Sequence, residues 1–297
     1  MTSGPLSGMT YQRVAVEEAD YLVAVGGSGP PVLLLHGYPQ THFCWHRVAP
    51  GLAASHTVVA ADLRGYGGTA APPGGPHGEG FSKREIASEL VQVMSRLGFD
   101  RFAVAGHDRG GRVAYRMALD HPERVERLAV LNIVPTVDQF ERMTPDSALD
   151  YFPWFFLAQP APLPERLIES QAEFFLQTIF DSWPASPESI TAEARGQYLA
   201  AFTPRVIAAS CADYRAAFHI DRRQDAEDLA AGRRISCPVL VLWGASELAP
   251  EPDASGGPLA VWRRWADDVR GRPLASGHFI PEEAPERLLE ALGDFLG

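Results

Sequence analysis

The segment Gly106-His107-Asp108-Arg109-Gly110 places a carboxylate on a short turn between glycines, where it could act as a nucleophile. An apolar run, residues 102–106, precedes the turn and a helical pattern follows it, so the segment matches a strand–turn–helix elbow with aspartate in the place of serine. A carboxylate is ionised near neutral pH and can displace a leaving group from saturated carbon, which forms an ester on Asp108. The structural alternative is an aspartate that only caps the helix.

Two further segments complete a possible reaction centre. Residues 33–39 read as a strand that ends in a His-Gly-x-Pro turn, where the backbone N–H of Tyr38 can face the elbow. The N–H groups of Tyr38 and Arg109 would then hold a developing oxyanion. His278 follows the last predicted strand and could activate a water against the ester, although a surface histidine is the simpler alternative. The order of elbow, turn and histidine predicts hydrolysis at saturated carbon, as in alkyl halides, haloacids or epoxides.

The elements that must position these residues alternate between strand and helix. Apolar runs occur at residues 32–35, 57–61, 102–106, 127–133, 238–243 and 269–274, and helical patterns at 82–97, 110–121 and 281–295. Such alternation predicts a mostly parallel sheet with helices on both faces. Between residues 136 and 234 strand patterns give way to aromatic helical segments at 151–157, 164–180 and 192–202. We therefore expect a core at 1–135 and 235–297 and an inserted helical cap at 136–234.

Composition excludes several classes of function. The 297 residues carry 26 Lys plus Arg against 37 Asp plus Glu, a net charge of −11, which disfavours a nucleic-acid binder. The three cysteines are far apart and indicate neither a disulfide framework nor a zinc site. No apolar stretch is long enough to span a membrane, and the first ten residues do not resemble a signal peptide. These features predict a soluble, cytoplasmic protein that needs no metal or other cofactor.

The runs LLLHGYPQ, ADLRGYGGT, AGHDRGGRVAYRMALDHPERVERLAVLNIVPT, FFLAQPAPLPE and SCADYRAA resemble the fluoroacetate (haloacetate) dehalogenases of the α/β-hydrolase superfamily. The resemblance extends from about residue 20 to the C-terminus. It implies an α/β-hydrolase fold with an eight-stranded, mostly parallel sheet, flanking helices and an inserted helical cap. It also implies a homodimer.

The resemblance assigns a role to each site residue. Asp108 would be the nucleophile and His278 the base for water. Arg109 and Arg112 would hold the substrate carboxylate, and guanidinium groups one helical turn apart can converge on one carboxylate. Trp154 and Tyr214 would stabilise the departing halide. The structural alternatives are a solvated position or a salt bridge for Arg109 and Arg112, and core positions for Trp154 and Tyr214.

The chain departs from the family pattern at two positions. Pro153 stands where the family has a histidine in the halide pocket, which puts fluoride release in doubt because proline has no side-chain donor. Asn132 stands where the family's acid ends the strand before the cap. An amide can accept a hydrogen bond from the histidine but cannot stabilise an imidazolium by its charge. Glu247, in the loop after residues 238–243, is the alternative acid, with Asn132 as a hydrogen-bonding spectator.

Three functions remain open at this point. The first is hydrolytic dehalogenation of short 2-haloacids, with only a small-molecule substrate and water as partners. The second is epoxide hydrolysis by the same aspartate and histidine, with a proton donor among the cap tyrosines Tyr151, Tyr198 and Tyr214. The third is an idle hydrolase fold that serves as a binding module, for which Asn132 is the main support. Substrate size depends on how the cap aromatics pack.

Overall fold

A single eight-stranded sheet forms the centre of the computed structural model, which describes residues 6–248 and 257–297. The strands are β1 (Thr10–Val16), β2 (Ala19–Gly27), β3 (Pro31–Leu35), β4 (Thr57–Ala61), β5 (Phe102–His107), β6 (Val125–Leu131), β7 (Val239–Gly244) and β8 (Val269–Leu274). Their spatial order is β1-β2-β4-β3-β5-β6-β7-β8. The pairs β1–β2 and β2–β4 are antiparallel and the other five pairs are parallel, which confirms the predicted mostly parallel, eight-stranded sheet.

The central strands are apolar along their whole length because helices cover both faces of the sheet. All six residues of β5 and all six of β7 are buried. The helices are α1 (Ala49–Leu52), α2 (Lys83–Arg96), α3 (Arg109–Asp120), α4 (Thr136–Glu141), α5 (Pro145–Asp150), α6 (Pro153–Phe156), α7 (Leu163–Ser170), α8 (Ala172–Ser182), α9 (Ala192–Ala201), α10 (Pro204–Ala216), α11 (Arg222–Ala230), α12 (Pro258–Trp262), α13 (Ile280–Glu283) and α14 (Pro285–Leu296).

Two helices predicted as continuous are each divided in the structure. The pattern at 164–180 is covered by α7 and α8, which meet at Gln171 with φ −146°. The pattern at 281–295 is covered by α13 and α14, and Pro285 is the first residue of α14. Proline has no N–H to donate to the preceding turn, and it restricts the residue before it to extended backbone, so a new helix begins there.

The two N-terminal strands were not located by the sequence patterns. They pair through a two-residue turn, Glu17 and Glu18, in which Glu17 has a φ of 50°. This turn contains none of the Gly, Asn or Asp residues that usually announce a hairpin. Most residues of β1 are also at least partly exposed, as expected of an edge strand, and so the chain there gives little apolar signal.

Every regular element between residues 136 and 234 is helical, from α4 to α11. A cavity lies between these helices and the carboxyl ends of the central strands. The division of the chain into a core and a cap at residues 135 and 235 stays a prediction. Within residues 6–248 and 257–297, no helix is both long and apolar enough to cross a membrane.

Candidate active site

The turn that carries Asp108 joins β5 to α3 in a conformation that is unusual for a residue with a side chain. Asp108 has φ 45° and ψ −114°. The turn is tight enough that a Cβ on Gly106 would lie 2.4 Å from the carbonyl oxygen of Gly110. A Cβ on Gly110 would in turn lie 2.4 Å from the carbonyl oxygen of His36. Glycine is therefore required on both sides of Asp108, and the turn holds the carboxylate beyond the end of the sheet.

The turn after β3 places a hydrogen-bond donor on the Asp108 carboxylate. The backbone N–H of Tyr38 donates to Asp108 Oδ1 over 2.8 Å. A Cβ on Gly37 would lie 2.5 Å from the Asp108 Cβ, so this close approach also needs glycine. Within the described part of the chain, Oδ2 accepts no hydrogen bond from protein. One carboxylate oxygen is thus held by the backbone, and the other is free to attack.

His278, in the loop after β8, is held at its Nδ1 by a carboxylate. Nδ1 lies 3.2 Å from both Oε1 and Oε2 of Glu247, which follows β7. The opposite ring nitrogen, Nε2, is buried and has no hydrogen-bond partner in the described residues. With its Nδ1 proton directed at Glu247, the imidazole presents an unprotonated Nε2 that can take a proton from water.

Asn132, at the end of β6, contacts Glu247 rather than serving His278 as an acceptor. Its Oδ1 accepts a hydrogen bond from the backbone N–H of Gly244 over 2.8 Å, and its Nδ2 donates to Glu247 Oε2. Nδ2 is the amide atom that lies 3.0 Å from His278 Nδ1. No contact in the described residues therefore supports the acceptor role toward His278 that was expected of the Asn132 amide.

Tyr151, the residue directly after α5, makes the third contact to Glu247. Its hydroxyl donates to Glu247 Oε1 over 3.0 Å. Burial raises the pKa of the Glu247 carboxyl, but His278, Asn132 and Tyr151 outweigh burial and hold this pKa below its ordinary value. For His278, burial lowers the pKa and the Glu247 carboxylate raises it, with a net rise above the ordinary value.

The nucleophile candidate is ionised in this surrounding. Burial favours the neutral form of Asp108, but the positive charges of His278, Arg109 and Arg112 bring its pKa below the ordinary value. His107, the preceding residue, also lowers the pKa of Asp108, and burial followed by His278 lowers the pKa of His107 itself to about 4. Asp108 therefore carries a negative charge across the range in which His278 changes its protonation state.

Arg109 is directed to a carboxylate of the protein. Its Nε donates to Asp213 Oδ2 over 2.6 Å and its Nη2 to the Asp213 carbonyl oxygen over 3.0 Å. Lys83 and Tyr66 also bind the Asp213 carboxylate. Among the side-chain nitrogens of Arg109, Nη1 alone has no hydrogen-bond partner in the described residues, and it is buried. Because Arg109 is fully buried and does not line the cavity, the convergence of both guanidinium groups on one substrate carboxylate stays a prediction.

Arg112, one turn further along α3, does reach the cavity. Its Nη1 donates to the carbonyl oxygen of Val134 over 2.8 Å, while its Nε is buried without a partner. The Trp154 indole lies close to both arginines, with its ring centre 4.4 Å from the Arg112 guanidinium carbon and 5.0 Å from that of Arg109. Both cations therefore border the same aromatic wall.

The cavity has a volume of about 590 Å³ and joins the residues described above. Its lining residues include Asp108, Arg112, Asn132, Tyr151, Phe152, Trp154, Trp183, Tyr214, Glu247 and His278. In the described part of the chain, neither the Trp154 indole N–H nor the Tyr214 hydroxyl has a hydrogen-bond partner. Both donors thus remain available to a bound molecule.

Pro153 and Tyr198 add nothing to this set of donors. Pro153 is the buried first residue of α6 and has no side-chain donor. The Tyr198 hydroxyl donates to Glu282, and Tyr198 does not line the cavity. The contacts that sequence patterns missed are those of Asp213 and Tyr151 to the site, which join residues about a hundred positions apart in the chain. In residues 6–248 and 257–297 no cluster of three metal-ligating side chains occurs.

Comparison with known proteins gives consistent matches. Residues 30–285 match a family model described as the alpha/beta hydrolase fold. The chain is 42% identical to a fluoroacetate dehalogenase of Burkholderia sp. over 96% of this chain and 94% of that protein. It is 33% identical to a soluble epoxide hydrolase of Corynebacterium sp. strain C12 over 95% of each. A solved structure from Nostoc sp. PCC 7120, assigned as an alpha/beta hydrolase, superposes with a TM-score of 0.94 at 45% identity, covering 98% of this chain and 99% of that one.

Proposed function

The chain belongs to the α/β-hydrolase family and is a hydrolase, and from this premise we propose that it cleaves the carbon–halogen bond of short 2-haloacids. The observation that carries this proposal is one cavity in which a carboxylate with a free oxygen, a carboxylate-paired histidine and the Arg112 cation lie together. An anionic substrate needs such a cation, because the protein as a whole carries a net charge of −11.

Arg112 lines the cavity and would bind the substrate carboxylate through its guanidinium. Arg109 does not line the cavity, so its part in carboxylate binding rests on the resemblance alone. The halogen would then face the indole N–H of Trp154 and the hydroxyl of Tyr214, the two unengaged donors of the cavity wall. This arrangement directs the saturated carbon between carboxylate and halogen toward Asp108, as displacement requires.

In the first step Oδ2 of Asp108 attacks this carbon, and the carbon–halogen bond breaks with its electron pair on the halide. An ester of Asp108 results. The low pKa of Asp108 supports the step, because the attacking group must be ionised. Hydrogen bonds from Trp154 and Tyr214 stabilise the charge that develops on the halide.

In the second step Nε2 of His278 removes a proton from water, and the hydroxide attacks the carbonyl carbon of the Asp108 ester. The N–H of Tyr38, 2.8 Å from Oδ1, holds the resulting oxyanion. The bond from that carbon to the ester oxygen, Oδ2, then breaks, and the proton on His278 passes to the leaving alkoxide. Oδ2 leaves as the hydroxyl oxygen of the product, the water oxygen stays on Asp108, and the new carboxylic acid loses its proton to solvent. The products are a 2-hydroxy acid and the free carboxylate of Asp108.

Chloride and bromide are the expected leaving groups, with fluoride less favoured. Fluoride is the poorest leaving group of the three and gains most from hydrogen-bond donors. The histidine that the resembled family supplies is replaced here by Pro153, so two donors remain. Cleavage of a carbon–chlorine bond needs less stabilisation of the departing halide than cleavage of a carbon–fluorine bond, so the loss of one donor affects chloride release less.

The test is halide release and 2-hydroxy acid formation from fluoroacetate, chloroacetate and bromoacetate, with the Asp108→Asn variant as the blank. We expect release from the wild type only. A His278→Ala variant should form the ester and keep it, so that mass spectrometry finds substrate mass on the Asp108 peptide. Absence of both turnover and ester on every substrate would support the idle-fold alternative.

Epoxide hydrolysis is the second candidate, and the Tyr214 hydroxyl favours it. This hydroxyl lines the cavity beside Asp108 and is free to donate a proton to an epoxide oxygen. Tyr151 and Tyr198 are less suitable donors because they already donate to Glu247 and Glu282. A styrene-oxide-type epoxide in the same assay distinguishes the two, since diol formation without halide release would favour the epoxide hydrolase.

A homodimer and a cytoplasmic location stay predictions, and sedimentation analysis would test the first.

A further inference from the structure

We propose that Tyr151 is a positioning residue that acts through Glu247 and so links the placement of the cap helices to the hydrolytic step. Tyr151 lies in the helical segment, three residues before Trp154, whereas Glu247 and His278 lie in loops after β7 and β8. Its hydroxyl donates to Glu247 Oε1 over 3.0 Å. The inference rests on the proposed function, because it assigns His278 as the base.

The contacts of Glu247 explain why this hydrogen bond matters. Asn132 holds Oε2 and Tyr151 holds Oε1, and each oxygen lies 3.2 Å from His278 Nδ1. A carboxylate with one donor on each oxygen cannot rotate about its terminal bond without losing a contact. Asn132 belongs to the sheet and Tyr151 to the helical segment, so the Glu247 carboxylate is fixed only when the two parts are in contact.

The second effect of Tyr151 is electrostatic. The titratable groups that face His278 are Glu247, Asp108, Glu283 and His107. Of these, only Glu247 receives a hydrogen bond from Tyr151. A donor on Glu247 disperses its negative charge and limits how strongly the carboxylate stabilises the imidazolium. Loss of the hydroxyl would therefore raise the pKa of His278, so less neutral base would be present at a given pH.

Tyr151→Phe removes the hydroxyl alone, and Tyr198→Phe is the matched control. Tyr198 is also a tyrosine of the helical segment that donates to a glutamate, but it is fully buried, its partner is Glu282 and it does not line the cavity. With chloroacetate, we expect Tyr151→Phe to slow ester hydrolysis about five- to tenfold near neutral pH, the effect of one ordinary hydrogen bond. The rate of ester formation should stay within about twofold of the wild type. The control Tyr198→Phe should not change the acid limb of the pH–rate profile, which is the range over which the rate of hydrolysis falls as the pH is lowered.

The decisive readout is the pH at which hydrolysis fails. In Tyr151→Phe the acid limb should move to higher pH, so the loss relative to wild type should grow as pH falls. In a Glu247→Gln background the same substitution should not move this limb, since Tyr151 acts through the carboxylate. A loss of rate that is equal at all pH values, or a shift that persists without Glu247, would overturn the proposal.

An NMR titration of the His278 imidazole separates this inference from the proposed function. Performed in Asp108→Asn, it needs no turnover. If the pKa of His278 is higher in the double variant Asp108→Asn/Tyr151→Phe than in Asp108→Asn, the positioning role is supported even if haloacids prove not to be substrates. An unchanged pKa in this variant pair, together with chloride release by the wild-type enzyme, would refute the role of Tyr151 and leave the proposed function intact.

Discussion

Replacement of Glu247 by glutamine tests which residue completes the hydrolytic machinery. Glutamine keeps the length of the side chain and one acceptor oxygen but removes the charge that faces His278. At 3.2 Å, a unit charge pair at an effective dielectric constant of about 20 interacts by about 5 kcal/mol. The donors Asn132 and Tyr151 disperse part of that charge. We therefore expect a loss of about 3–4 kcal/mol in the hydrolytic transition state, or about 10²- to 10³-fold.

The assay for Glu247→Gln should separate the two chemical steps. Rapid mixing with chloroacetate gives an initial burst of chloride, one per active site, from attack by Asp108, followed by slow turnover that reports hydrolysis by His278. The burst should be retained, and intact-mass analysis should find the ester on Asp108 at steady state. An Asn132→Ala variant should retain most of its turnover, because Glu247 keeps its contact with His278. Full activity in Glu247→Gln combined with loss of hydrolysis in Asn132→Ala would refute the assignment of Glu247 as the acid.

Three further expectations concern the halide pocket, the pH dependence and the stability of the fold. Pro153→His should raise the ratio of fluoride to chloride release about tenfold, measured with ion-selective electrodes, because it adds a donor of ordinary strength. In the resting enzyme the pKa of His278 is raised, partly by the Asp108 carboxylate, so an imidazole titration should give a value above that of a free histidine. In the ester Asp108 is neutral, so steady-state turnover should persist to lower pH than this titration indicates. Asp213→Asn should lower the free energy of unfolding in urea by about 3–5 kcal/mol, since it leaves Arg109 buried without its carboxylate.

The elements that carry local signals could be predicted from the sequence. The elbow at Asp108 was found because the glycines around it are required by backbone contact, and such contacts act over a few residues. The order of turn, elbow and histidine along the chain then followed from the alternation of strands and helices. The hairpin of β1 and β2 was missed because it lacks such a local signal: Glu17 adopts a positive φ in its turn, and glutamate is not a residue type typical of turns.

The partners of the site residues could not be predicted, because they are distant in the chain. Arg109 was expected to face the substrate, yet Asp213, which lies 104 residues away, binds its Nε. The spacing of Arg109 and Arg112 predicts that they share one face of α3, but it does not predict which carboxylate packs against that face. Tyr151 was considered only as a proton donor, and its contact with Glu247 spans 96 residues. Pairings of this kind depend on how the helical segment lies against the sheet.

The proposed role of Glu247 as the acid requires a side chain at position 132 that carries no charge. The Asn132 side chain accepts from the Gly244 N–H with its oxygen and donates to Glu247 with its nitrogen, so it connects β6, β7 and the loop that carries the acid. An aspartate there, as in the family that the sequence resembles, would place a second carboxylate in hydrogen-bond contact with Glu247. Two carboxylates so close share a proton, which raises the pKa of one of them and removes negative charge from the side of His278. We therefore expect a single carboxylate to serve His278, and we propose that in this chain the carboxylate after β7 takes the place of an acid after β6.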